Sequence, residues 1–243
     1  MRSPFSPRLR RSASRPARAL RLPVLFLMAT AAACAAGTPP PEGTPVPDPT
    51  ASARELVAAT EPARRTQVNF GWTLDESGSR VRGRGVVRLD PPDRLRLDLF
   101  GPRNETVLAA ALVGDEARLP AGARPTVAIP SPALLWAGLG VIRPPRDAEL
   151  ATATATGDAT ILRYRTPSGE VYEYRVLHGA EARLQQLQRL GSRGPLETVS
   201  LERGESGALA RARYRDWAAY RDLTLDIEST VDAEAFPEEI WTP

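Results

Sequence analysis

The sequence predicts one mainly β domain, an antiparallel barrel or a strongly curved sheet, behind an export signal. Three observations predict it. From residue 66 onward apolar and polar residues alternate over many short runs, the period of a strand with one buried face. Turn residues break those runs at short intervals, at 76–78, 90–93, 101–104, 167–169, 191–195 and 204–207. The chain has 243 residues, which is enough to bury a sizeable core in one such domain.

Composition narrows the class further. A single Cys excludes a disulfide scaffold, and one Cys with one His excludes the usual zinc sites. All 32 basic residues are Arg. Seven of them, Arg2, Arg8, Arg10, Arg11, Arg15, Arg18 and Arg21, precede residue 22 in a stretch without any acid. Without those seven, 25 Arg face 29 acids, a formal charge of −4. The basic balance therefore belongs to the leader, and no nucleic-acid partner is expected.

The leader, 1–33, has a positive stretch to Arg21 and then a short apolar run at 22–33. About 20 apolar residues are needed to cross a bilayer, so this reads as a secretory signal and not as a span. The run ends in Ala31, Ala32, Ala33 and Cys34. Small residues before a lone Cys resemble the lipobox of bacterial lipoproteins, though Ala31 stands where Leu is usual. The resemblance implies lipidation of Cys34 and attachment to a membrane. An ordinary signal with a chance Cys is the other reading. Ala at position 35, where Asp would retain a lipoprotein, is similar to outer-membrane sorting and implies a site facing the periplasm.

Residues 34–50 contain Pro39, Pro40, Pro41, Pro45, Pro47 and Pro49. They are expected to form an extended tether without a fold, with a reach of ~50 Å at about 3.1 Å per residue. A short helix is expected at 51–59, capped by Thr50 or Ser52 and ended before Pro62.

The strands follow. Val68, Phe70, Trp72 and Leu74 share one face, and Val81, Gly83, Gly85, Val87 and Leu89 share the next. Gly83 and Gly85 mark a place where bulky neighbours approach the backbone. Leu95, Leu97 and Leu99 alternate with Arg94, Arg96 and Asp98. Residues 106–113 (TVLAAALV) have no polar face. Such a strand lies between two apolar layers, or has something apolar other than protein on its inner side. A Pro-rich loop at 120–145 then encloses a short, almost wholly apolar helix at 131–139, with Ser131 as N-cap and Pro132 at its first position. Strands resume at 159–166, 170–177, 182–190, 196–203, 208–214 and 222–230. Leu184, Leu187 and Leu190 have helical spacing, which leaves that element ambiguous.

Nothing in this pattern asks for catalysis. His178 precedes Gly179 in a turn and has no triad partners, Gly83-Arg84-Gly85 lacks a phosphate-loop context, and no carboxylates have metal-ligand spacing. We expect no enzyme, no metal and no cofactor.

The order of a lipobox, a tether, a helix, strands ending in a Gly-Pro turn, a Trp-bearing helix in a Pro-rich loop and further strands resembles the LolA/LolB superfamily of lipoprotein carriers and receptors. Residues 93–102 (DRLRLDLFGP) look like the LolB strand that enters such a turn. Residues 134–145 (LLWAGLGVIRPP) look like its later Trp segment. The similarity covers 51–243. It implies a half-open antiparallel β-barrel of about eleven strands with a short N-terminal helix and a helical lid. It also implies an apolar cavity for acyl chains or client lipoproteins, exchanged with a periplasmic carrier. Phe70, Trp72, Leu95, Leu97, Leu99, Val107, Ala109 and Ala111 are the candidate cavity residues. Leu134, Leu135, Trp136 and Leu139 are the candidate lid. In LolB-like receptors a Leu after the turn's Pro faces the membrane; here Pro102 is followed by Arg103. Arg103 either meets anionic headgroups or is a solvated turn residue. Two functions stay open: a handler of acyl chains, or a non-catalytic envelope scaffold with a filled core that binds a protein partner.

Overall fold

The computed structural model describes residues 43–122 and 129–243. The signal, Cys34 and the first part of the tether lie outside the described residues. The elements are β1 (Thr44–Pro45), α1 (Pro49–Thr60), β2 (Thr66–Glu76), β3 (Ser79–Asp90), β4 (Arg94–Phe100), β5 (Thr106–Val113), β6 (Glu116–Arg118), α2 (Pro132–Ala137), β7 (Glu149–Thr156), β8 (Ala159–Arg165), β9 (Val171–Leu177), β10 (Arg183–Gly191), β11 (Gly194–Arg203), β12 (Leu209–Asp216) and β13 (Arg221–Asp232). A single 3₁₀ turn, Glu238–Trp241, follows.

All thirteen strands form one antiparallel sheet in the order β1-β7-β8-β9-β10-β11-β12-β13-β2-β3-β4-β5-β6. β1 and β6 stand at opposite ends and do not pair, so the barrel is half open. The two runs of strands meet where the last pairs with the first long one: Leu223 faces Leu74, Leu225 faces Trp72 and Ile227 faces Phe70.

The concave face carries the core in two neighbouring clusters. One gathers Val68, Phe70, Trp72, Leu95, Leu99, Leu108 and Leu112 from β2–β5 around Trp136 of α2. The other gathers Leu162, Tyr174, Leu184, Leu187 and Val199 from β8–β11 around Ala53 and Leu56 of α1 and Leu134 of α2. The two β3 glycines serve the first cluster. A Cβ on Gly85 would lie 2.3 Å from the Phe70 ring, and one on Gly83 would lie 2.7 Å from the Trp72 ring. Both rings therefore lie flat across β3, and Trp72 Nε1 donates to the Arg84 and Phe100 carbonyls at 2.9 and 3.1 Å.

Three strands have no counterpart in the sequence reading. β7 reads ELATATAT, with no large apolar residue except Leu150, because α1 packs against it and takes the space. β1 falls within the expected tether. Proline is tolerated on an edge, and Val46 N–H bonds the Ala153 carbonyl at 3.0 Å. The helix that follows also starts inside the expected tether. Pro49 occupies its first turn, and its cap is Asp48, whose carboxylate accepts from Ala51 N–H at 2.9 Å, in place of Thr50 or Ser52. The third, β6, is three residues long. The ambiguous segment at 182–190 is a strand. A bulge between Leu184 and Gln186 puts Leu184 and Leu187 on one side despite their spacing of three.

Candidate functional site: an apolar cavity under a helical lid

The antiparallel register fixes which side chains face inward. Leu95 faces Leu89 on β3 and Leu112 on β5, Leu97 faces Val87 and Ala110, and Leu99 faces Gly85 and Leu108. Residues directly opposite each other share a face. The inner residues of β5 are therefore Leu108, Ala110 and Leu112. Ala109 and Ala111 face outward, opposite Asp98 and Arg96, which corrects their expected place in the cavity. Alternation could not set the phase of a strand apolar on both faces; only the partner strand does. Val107 sits in the bulge opposite Leu99 and Phe100 and packs at the edge of the inner cluster.

The outer face of β5 is apolar for a different reason. The C-terminal turn folds back onto β4 and β5. Trp241 is only 2% exposed there. Phe236 meets it edge-on at 6.1 Å, and the Arg94 guanidinium lies 5.8 Å from its ring. Arg96 donates to the Ile240 carbonyl at 2.6 Å and to Asp98 at 2.7 Å. Small side chains at Ala109 and Ala111 leave room for this cover. The apolar layer on that side is the chain's own tail.

Between the concave face and α2 lies a cavity of about 60 Å³. Its sheet wall is Val87, Leu95, Leu97, Leu99, Leu108, Val199, Ala212, Tyr214, Leu223 and Leu225. Its roof is Pro130, Leu134, Leu135, Gly138 and Leu139. Leu97, Leu135, Leu139, Leu223 and Leu225 are half-buried. Phe70 and Trp72 are in the packed cluster beside the cavity and do not line it. Of the four lid candidates, Leu134, Leu135 and Leu139 touch the cavity, whereas Trp136 is fully buried in that same cluster.

Sequence reasoning assigned no inward face on β11–β13, and so missed Val199, Ala212, Tyr214, Leu223 and Leu225. The alternation of Leu223 and Leu225 was a usable signal. Tyr214 was not readable as a cavity residue, because its hydroxyl turns to Glu197 on the next strand, donating at 2.5 Å. Glu197 also accepts from Arg189 Nε at 2.5 Å, and Arg189 NH1 reaches Glu170 at 2.6 Å. Tyr214 is thus the point at which this partly buried network touches the apolar lining. Burial, and then the bond to Glu197, pushes the Tyr214 hydroxyl well above its ordinary pKa. Burial does the same for Tyr174, which is completely enclosed.

The roof is held from its downstream end. The Arg143 guanidinium stacks over the Trp136 ring at 4.3 Å and also donates to the Pro92 carbonyl in the β3–β4 turn. Tyr174 Oη donates to the Arg143 carbonyl at 3.0 Å. Ile142 N–H donates to Thr60 Oγ1 at the end of α1 at 3.0 Å. Ser131 occupies the N-cap position of α2 without a side-chain capping bond.

Pro102 and Arg103 lie in the exposed β4–β5 turn, where Arg103 N–H donates to Glu105 at 2.8 Å. His178 is exposed in its turn, with Nε2 2.9 Å from Thr160 Oγ1. Cys34 lies outside the described residues. Among the described residues no His, Cys, Asp and Glu cluster could hold a metal ion, and no helix is long and apolar enough to cross a membrane.

Neither a protein-family model nor a curated protein sequence matches the chain. Solved structures do. A LolA superfamily protein from Nitrosomonas europaea superposes with a TM-score of 0.55 at 15% identity, covering 81% of this chain and 98% of that one. A domain described as an outer membrane lipoprotein-sorting protein domain, from Vibrio parahaemolyticus, gives 0.52 at 12% identity, covering 79% and 95%. A DUF1329 family protein from Desulfovibrio piger gives 0.51 at 8% identity, covering 80% and 97%. At these identities the likeness concerns the fold. With its half-open antiparallel barrel and helical roof, the chain has the fold of the LolA/LolB superfamily.

Proposed function

We propose that the chain is a non-catalytic lipoprotein of the bacterial envelope that shields acyl chains from water in its barrel, for transport or insertion of lipoproteins or lipids. Cys34 would anchor it, most simply in the outer membrane facing the periplasm. The observation that carries this reading is the almost wholly apolar lining of the cavity, with Tyr214 its one polar side chain, which includes five half-buried side chains that a filled core would have covered. Shielding has a clear driving force, since each methylene removed from water contributes about 0.8 kcal/mol.

The cavity volume sets a condition. An apolar cavity of about 150 Å³ admits benzene. The space here is about 60 Å³ and holds no acyl chain as it stands. The α2 roof must therefore move, with Leu134 and Leu135 leaving the sheet. The same small volume supports the second reading, a scaffold lipoprotein on the same fold that binds a protein partner at its rim or edge.

Native mass spectrometry of the full chain carrying Cys34→Ala, with lipid extraction alongside, separates the two. An acyl species released on denaturation, and loss of apolar fluorescent-probe binding in a folded Leu97→Glu/Leu135→Glu variant, are expected. A lipid-free mass together with probe binding unchanged in that variant would move the assignment to the scaffold.

A further inference from the structure

The described arginines are mostly neutralised by carboxylates on neighbouring strands. Asp98 takes Arg88 and Arg96, Asp222 takes Arg213 and Arg215, and Glu76 takes Arg221. Three half-buried arginines depart from this rule; Arg143 is taken up by Trp136 and the Pro92 carbonyl, which leaves Arg183 and Arg203. Arg183 begins β10 and Arg203 ends β11, side by side on the rim opposite the Gly101-Pro102 turn. Neither forms an ion pair among the described residues.

Both guanidiniums converge on one glycine in the β11–β12 turn. Arg203 NH1 donates to the Gly207 carbonyl at 3.2 Å. A Cβ built on Gly207 would lie 2.7 Å from Arg183 NH1 and 2.8 Å from its NH2. The turn favours glycine for its φ of +82°, and the bare Cα lets the Arg183 guanidinium lie close against it. Arg203 also reaches the lid, its NH2 lying 3.3 Å from the Cβ position of Gly140, just past α2. A guanidinium carries five N–H donors, and among the described residues the pair makes this single hydrogen bond to a carbonyl.

Two like charges, half-buried and without an ion pair, repel each other and lose hydration. The structure nevertheless brings both guanidiniums to the same turn, Gly207, with Arg203 beside the end of the lid at Gly140. We propose that Arg183 and Arg203 form a binding site for a phosphate-class anion, held by charge-assisted hydrogen bonds from both guanidiniums. Consistent with this, burial and then the neighbouring charge of Arg183 lower the pKa of Arg203, while Glu181 opposes the shift without pairing. The anion is either inorganic phosphate or the phosphate of a lipid headgroup whose tail lies under α2. The site stands independently of the acyl-chain reading, because neither arginine lines the cavity.

The test uses the full chain at constant ionic strength, with chloride replaced stepwise by inorganic phosphate, read by calorimetric titration and thermal melting. Saturable phosphate binding is expected, weakened roughly tenfold in Arg203→Gln and again in Arg183→Gln, as loss of one charge-assisted bond implies. In phosphate-free buffer both variants should melt at or above the wild-type temperature, because a repulsion has been removed. Dihexanoyl phosphatidic acid, a soluble short-chain lipid, then separates the sources. Affinity at least tenfold above phosphate identifies a lipid headgroup, and equal affinity identifies the free anion. No saturable phosphate effect, an effect matched by chloride, or variants that melt lower and bind phosphate normally would overturn the proposal.

Discussion

Filling the cavity should make the protein more stable and less able to take an apolar ligand. Ala212 is the position for this test. It is 2% exposed, lines the space under α2, and sits on β12 between Leu201 and Leu225. The void is about 60 Å³. At about 24 cal/mol per Å³ of residual cavity, removing all of it is worth about 1.4 kcal/mol. For a chain of this size that corresponds to roughly 3–6 °C in melting temperature. Ala212→Val should recover part of the gain, and Ala212→Leu most of it, provided the longer side chain finds a staggered rotamer. Differential scanning calorimetry of the full chain measures the first quantity, and fluorescence titration with an apolar probe the second. The expected pattern is a rising melting temperature with a falling probe affinity along Ala, Val, Leu. A lower melting temperature in both variants would show that the space is not available to a side chain. Unchanged probe affinity in a stabilised Ala212→Leu protein would place the ligand elsewhere and remove the cavity from the argument.

Three further expectations follow from the same geometry. Arg143→Ala removes the stacking on Trp136 and the tie to Pro92, together about 1–2 kcal/mol, so it should lower the melting temperature and raise apolar-probe affinity by up to about tenfold if opening of α2 limits binding. Trp241→Ala uncovers the outer face of β4 and β5 and should cost about 3 kcal/mol in denaturant unfolding, with increased dye binding to the exposed strands. Tyr164, Tyr172, Tyr174 and Tyr214 all have pKa values raised by burial above the ordinary value of about 10. The folded state therefore holds protons that the unfolded chain has released, so stability is complete below about pH 10 and declines as pH rises further. Absorbance titration at alkaline pH should show far fewer phenolates in the native than in the urea-unfolded protein, and Tyr214→Phe should cost about 1.5–3 kcal/mol at pH 7 by stripping Glu197 of a bond.

Where the sequence carried a one-sided pattern, it also carried the fold. The Leu95, Leu97 and Leu99 alternation and the paired glycines of β3 placed that face without help. The phase of TVLAAALV was not legible, since both of its faces are apolar and only pairing with β4 distinguishes them. Nor was the cover on its outer face. The turn that supplies Trp241 is more than a hundred residues downstream, and long-range packing leaves no local trace. The strand β7 was hidden because α1 demands small residues there, which removes the branched and aromatic side chains that usually mark a strand. The bulge in β10 disguised a strand as a helix by shifting its period from two to three. The cavity wall on β11–β13 was half legible: the alternation of Leu223 and Leu225 was visible, whereas the inward turn of Tyr214 toward Glu197 depends on a partner on another strand.

An open sheet has two ends at which another chain could add a strand, and this one has blunted both. The outermost strand on one side is two residues long and contains Pro45, which has no N–H to offer. The outermost on the other side is three residues long, with Glu116 and Arg118 bridged at 2.9 Å across its exposed face. Short, charged or proline-bearing edges are poor templates for edge-to-edge polymerisation. The barrel can thus remain unclosed without its margins seeding fibrils.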